Sequence, residues 1–296
     1  MFNQLASPSV CVIDDDEKDY KPLLGALLRQ GIGSMHIDGS DTESLPEEPF
    51  CGIKVVFQDL HMSAAVDVKS SMSHTANVFR RVVAADSGPV LVIIWSKYAD
   101  DMPAPADDPP IADLSETEAD VFRKILLESV PEFKDKLFFL QMEKPKVTVR
   151  GDSDAWMTQL MKQTLEMLQS KKPLGLLWAW DGIARRSAEK VATKLVTFAA
   201  QSGEGGTDAN SKLEEVMRAL ASQSGGPEYS KETAVRHLFS VLGEMGVDAI
   251  EREQAGVEFG EYGEWLVGAD DDDAATRKKW AAGINTMLFT LSLIHI

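Results

Sequence analysis

The chain has 296 residues, 44% of them hydrophobic and 26% charged, with a formal net charge of −17. Length alone predicts two domains, each long enough to bury a core. Residues 1–150 hold 15 Lys and Arg against 25 Asp and Glu, and the remainder 15 against 22. Neither half therefore has the basic surplus that nucleic-acid binding uses, and no nucleic-acid partner is expected.

No apolar run approaches the roughly 20 residues of a membrane span. The opening residues carry no charged and apolar leader pattern, so a cytoplasmic protein without a membrane partner is expected. The two cysteines, Cys11 and Cys51, each lie in or beside an apolar strand-like stretch, and both are expected to be buried reduced thiols. Leu291-Ser-Leu-Ile-His-Ile296 reads as the translation of a sequencing-library adaptor. Residues 291–296 are therefore set apart, and the second half is expected to stop short of its native end.

In chain order, residues 9–13 form a β-branched apolar run that meets Asp14, Asp15 and Asp16, which predicts a buried strand ending in acids. Leu23, Leu24, Leu27 and Leu28 predict a helix over 22–30, stopped by Gly31 and Gly33. A short strand is expected at 34–37, then a loop or ragged helix at 38–49. Residues 53–58 predict a strand ending at Asp59, 73–85 a helix, and 90–95 a strand ending at Ser96 and Lys97. Residues 98–113 hold four prolines and five aspartates and predict a loop. Ser115 followed by Glu118 predicts a capped helix over 115–130. Residues 136–142 predict a last strand, ending at Glu143-Lys144-Pro145.

Strands alternating with helices predict a five-stranded, doubly wound parallel α/β sheet over 1–150. After Gly151 the pattern is helical, at 154–169, 174–201, 209–223 and 230–243, so an all-helical domain is expected over 151–290. The apolar run 174–180 is expected in the core of that half. Lys171, Lys172, Arg185, Arg186, Lys190 and Lys194 are expected on a solvated helix face. His36, His61, His74 and His237 share no ligand spacing and are expected to be ordinary surface or core residues.

Ligands of such sheets bind at the carboxyl ends of the strands. There the chain brings Asp14 and Asp15, Asp59, Ser96 and Lys144. Three carboxylates form an oxygen-rich set suited to Mg²⁺. A carboxylate beside a divalent ion can attack a phosphoryl group, and a lysine can neutralise the phosphoryl oxygens.

In these residues the first half resembles the receiver domain of two-component response regulators. Val12-Ile-Asp-Asp-Asp-Glu17 matches the acidic pair closing the first strand, and Val56-Phe-Gln-Asp-Leu-His-Met62 the acceptor strand and its tail. Asp15 and Asp59 are 44 residues apart, the family's usual interval. Ile93-Ile-Trp-Ser96 matches the hydroxyl-bearing strand, and Glu143-Lys-Pro145 the Lys-Pro after the fifth. Ile94-Trp-Ser-Lys97 also resembles a divergent receiver group of bacterial conflict and stress loci.

The resemblance implies that Asp59 accepts a phosphoryl group from a histidine kinase or phosphotransfer protein. It implies that Asp14, Asp15 and Asp59, with the backbone carbonyl of His61, hold Mg²⁺. Ser96 is then the switch hydroxyl, and Lys144, with Lys97 as the alternative, serves the phosphate. A cis Lys144-Pro145 bond, a homodimer and a non-enzymatic signalling role belong to the same expectation. Two departures stand out: Ser63 where proline is usual, and 48 residues from Ser96 to Lys144, about twice the family interval. The competing readings are a receiver-like interaction module without phosphotransfer and an aspartyl phosphatase. The latter usually needs a second Asp where this chain has His61.

Overall fold

A computed structural model describes residues 8–43, 45–62, 68–96, 117–144, 155, 158, 162, 166, 170–201 and 209–255. The chain divides into two compact units, Met1–Ser170 and Lys171–Ile296.

The first unit is built on five parallel strands: β1 (Val10–Ile13), β2 (Ser34–Ile37), β3 (Val55–Gln58), β4 (Val90–Ser96) and β5 (Leu137–Glu143). Their order is β2-β1-β3-β4-β5, as in flavodoxin-like folds. The helices are α1 (Glu17–Arg29), α2 (Val68–Val82) and α3 (Glu118–Ser129). The doubly wound sheet followed by helices is the fold class that the sequence predicts.

A parallel sheet is covered on both faces, so its strands can be apolar throughout. All seven positions of β4 are buried. Alternate residues Cys11, Ile13, Val56, Val90, Val92 and Ile94 join one core with Met72, Ala76 and Phe79 of α2 and Phe122 and Leu126 of α3. Phe79 meets Phe133 edge-on with centroids 5.6 Å apart. Between them, Val12, Phe57, Leu91, Ile93 and Trp95 are also buried, as are Leu23, Ala26 and Leu27 of α1.

Several boundaries differ from the expected ones. α1 begins five residues before Pro22, because the Asp16 side chain caps it by accepting from the Lys18 amide. Pro22 sits inside it and forfeits the bond its amide would make to the carbonyl four residues back. Gly31, at φ 71, ends the helix with its amide on the Leu28 carbonyl. The cap of α3 is Thr117 with Asp120, each side chain bonding the other's backbone, rather than Ser115 with Glu118. Cys51 is exposed, not buried, because it sits in a turn before β3; Cys11 is buried, and both thiols are free.

Lys97, the 98–113 loop, Ser115, Pro145 with its bond to Lys144, most of the helix expected at 154–169, and 291–296 lie outside the described residues. The unit boundary falls at Ser170 and the expected one at 150.

The second unit has three described helices: α4 (Lys172–Gln201), α5 (Ala209–Gly225) and α6 (Ala234–Gln254). α4 buries Ile183, Ser187, Val191, Leu195 and Ala199, one ridge at four-residue spacing. Of the run expected in its core, Leu174 is buried, whereas Leu177 and Trp180 are 53% and 56% exposed. Consecutive apolar residues point all round a helix, and one packed face cannot take them all. Arg185, Arg186, Lys190 and Lys194 are exposed as expected, with Arg185 on Asp181 and Lys190 on Glu253. Among the described residues, no helix is long and apolar enough to cross a membrane.

Candidate functional site

The carboxyl ends of β1, β3, β4 and β5 converge on an open cleft of about 470 Å³. It is lined by Asp15, Asp16, Asp19, Asp59, His61, Ser96 and Lys144. Asp14 lies beneath, fully buried. The structure thus brings together all six residues singled out from the sequence: Asp14, Asp15, Asp59, His61, Ser96 and Lys144.

Sheet register explains the convergence. Ile13 pairs with Gln58 across β1 and β3, so Asp14 and Asp59 leave neighbouring strands at the same level. The Asp59 amide donates to the Ile13 carbonyl at 2.9 Å, and the Asp14 amide to the Ile37 carbonyl at 3.2 Å. On the other side Ser96 pairs with Glu143, and the Lys144 amide donates to the Ser96 carbonyl at 3.2 Å.

Lys144 is the hub. Its Nζ lies 2.8 Å from Asp14 Oδ2, 3.0 Å from Asp19 Oδ2 and 3.2 Å from Asp59 Oδ2. Burial by itself pulls the ammonium's pKa down. The charges of Asp59 and Asp14 and the hydrogen bonds to Asp14 and Asp19 outweigh that and hold it above its ordinary value. Asp59 is the opposite case. Burial pushes its carboxyl up to about 6, Asp14 and Asp15 push the same way, and Lys144 offsets only part. Partial burial also raises Asp15, with Asp14 and Asp38 adding to it.

The carboxylates are held from the backbone. Asp14 Oδ1 accepts from the Asp16 amide at 2.8 Å, and Asp59 Oδ1 from the Leu60 amide at 2.8 Å. The Leu60 carbonyl accepts from Ser71 Oγ and Thr75 Oγ1, both buried and both on α2. α2 therefore anchors, through its carbonyl, the residue whose amide holds the Asp59 carboxylate.

The site also contains residues that sequence spacing did not mark. Asp19 sits at the third position of α1 and reaches Lys144; an acid in the first turn of the helix after a strand-end acid was its only signal. Glu118, the first residue of α3, is buried and pairs with His61 through Oε2 and Nε2 at 2.7 Å. His36 Nε2 donates to the Asp14 carbonyl at 2.7 Å, and its ring stacks on Tyr20 at 3.6 Å. His36 and His61 are thus tied to the site, while His74 bonds the Gly39 carbonyl.

Asp14, Asp15 and Asp59 each offer a carboxylate oxygen, all within 4.8 Å of one another, and this cluster can hold a metal ion. The donor set suits one: three hard oxygens favour a hard divalent cation. Asp14 Oδ2 is buried and lies 2.8 Å from the Lys144 ammonium, so an ion at the cluster would share that oxygen with the lysine. Comparison of the chain with models of protein families, with curated proteins and with solved structures returns no match.

Proposed function

We propose that the first unit is a response-regulator receiver that accepts a phosphoryl group on Asp59 from a phosphohistidine-bearing kinase or phosphotransfer protein. The observation that carries this reading is the single cleft uniting Asp14, Asp15, Asp59, Ser96 and Lys144 at the carboxyl edge of a sheet in the order β2-β1-β3-β4-β5.

In the proposed step an Asp59 carboxylate oxygen attacks phosphorus, the phosphorus–nitrogen bond of the donor breaks, and the electron pair leaves with the imidazole, which takes up a proton. Asp14, Asp15 and Asp59 hold Mg²⁺ with the His61 carbonyl, and the ion supplies charge neutralisation for the phosphoryl oxygens. Lys144, already 3.2 Å from Asp59, supplies a second positive charge. Ser96, buried at the end of β4 and lining the same cleft, offers its hydroxyl to a phosphoryl oxygen. The helical second unit then carries the output.

A second reading is a receiver-like interaction module without phosphotransfer. It is favoured by one observation: Lys144 already ties together the carboxylates of Asp14, Asp19 and Asp59, so the cleft is stable as it stands.

The full chain incubated with Mg²⁺ and a small phosphodonor such as acetyl phosphate is expected to gain one phosphoryl group by intact mass. Asp59→Asn is expected to gain none. An unmodified wild-type chain, with no Mg²⁺-dependent change in unfolding, selects the interaction module. Phosphorylation that survives in Asp59→Asn overturns the assignment of the acceptor. Steady turnover of a phosphate ester instead selects the phosphatase.

A further inference from the structure

α6 carries two apolar sides. Leu238, Val241, Leu242, Met245 and Ala249 are partly buried, on the side turned to α4 and α5. A helix of 3.6 residues per turn puts Val235, Phe239, Gly243, Gly246 and Ile250 together on another. There Val235 is 63% and Phe239 66% exposed, Gly243 is exposed, Gly246 and Ile250 are partly buried, and Val247 at the margin is 58% exposed; Val235 also borders a groove shared with Leu213 and Met217 of α5.

The two glycines need a reason. Glycine in a helix interior is costly. A Cβ built on Gly243 or Gly246 meets no atom of the described residues within 4 Å, so packing among those residues requires neither glycine. They leave a shallow notch beside two protruding side chains.

We propose that this side of α6 is a homodimer interface that seats α6 of a second copy antiparallel on the first. The pattern is self-complementary about a point between Leu242 and Gly243. A two-fold axis there sets Phe239 of each copy into the notch at Gly246 of the other and Val235 against Ile250. The same axis brings Arg236 near Glu251 of the other copy, so opposite charges meet at both ends. Asp248, the neighbouring acid, is already engaged by Arg252 at 2.7 Å. Knob and notch, and cation and anion, lie on one helix at matching spacings, which is the condition for an isologous contact.

The test uses the full chain in light scattering or sedimentation at concentrations up to about 100 μM. A concentration-dependent mass of two chains is expected. Gly246→Leu and Phe239→Asp are each expected to give a monomer with unchanged helical circular dichroism. Leucine favours a helix more than glycine does, so unfolding does not confound the first variant. Arg236→Glu and Glu251→Arg are each expected to weaken association, and the double variant to restore it. A wild-type chain that stays monomeric overturns the proposal, as does a dimer that persists in both Gly246→Leu and Phe239→Asp. A monomer whose α6 side is shielded by residues beyond 255, seen as hydrogen-exchange protection lost on truncation after Ala255, also overturns it.

Discussion

Lys144, just beyond β5, places its Nζ 3.2 Å from a carboxylate oxygen of Asp59, just beyond β3, although β4 lies between those two strands. The contact spans a strand because a lysine is long and all three strands end at one edge. It makes the ammonium the counter-ion of a carboxylate that burial disfavours in its charged form.

That burial makes Asp59 a pH-dependent liability in the metal-free protein. Its folded pKa, about 6, stands above the ordinary 3.8, so the folded state binds the proton more tightly than the unfolded chain. The penalty is absent below about pH 4, grows as pH rises, and is complete above about pH 6. Asp59→Asn is therefore expected to stabilise the metal-free chain by about 3 kcal/mol at pH 8 and by nearly nothing at pH 4. Urea unfolding of the first unit at the two pH values checks this. A difference that is the same at both, or larger at pH 4, refutes it.

Removing the hub has the opposite effect. Lys144→Met leaves Asp14, Asp19 and Asp59 without their shared cation, and breaking a buried pair in this way costs about 3–5 kcal/mol. Mg²⁺ is expected to recover part of that loss, since a divalent cation supplies the missing charge. The same unfolding experiment with and without Mg²⁺ measures both quantities. A variant as stable as wild type without metal contradicts the assignment of Lys144 as counter-ion.

If the three carboxylates bind Mg²⁺, the folded protein gains stability from the ion. At a concentration ten times the dissociation constant the gain is about 1.4 kcal/mol. Asp15 is the exposed member of the cluster, so Asp15→Asn removes a ligand without disturbing the core. Thermal unfolding across a Mg²⁺ series is expected to show a rising midpoint in wild type and a much smaller rise in this variant. Equal shifts in the two place the ion elsewhere.

His61 and Glu118 tie the segment after β3 to the start of α3 at 2.7 Å. Glu118 is buried, so His61→Ala leaves it short of a partner and is expected to cost about 1–3 kcal/mol. A double-mutant cycle with Glu118→Ala is expected to give a coupling of at least about 0.5 kcal/mol. Additive single effects show that the contact contributes nothing.

The strand ends were legible because a buried parallel strand is a short apolar run, and the first acid or hydroxyl after it marks where it reaches water. Asp14 and Asp59 directly follow their strands and Ser96 closes β4, while Lys144 comes after the acid that closes β5, and all share one edge. Helix starts were less legible. α1 and α3 are set by the caps Asp16 and Thr117, and near each several polar residues compete for the role. Cys51 and Trp180 were misplaced for a related reason: an apolar residue's burial depends on what covers it, and local pattern does not say.

By itself the sequence determined the parallel α/β half, the helical half and the strand-end groups that meet at the cleft, though not Asp19 or Glu118, since apolar periodicity and strand-end chemistry are local properties. Only the tertiary structure decided which groups touch. Lys144 chooses Asp14, Asp19 and Asp59, and Glu118 takes His61, because strand order and register bring distant turns to the same level. Those distances depend on the packing of α1 and α3 against the sheet, which no spacing along the chain encodes.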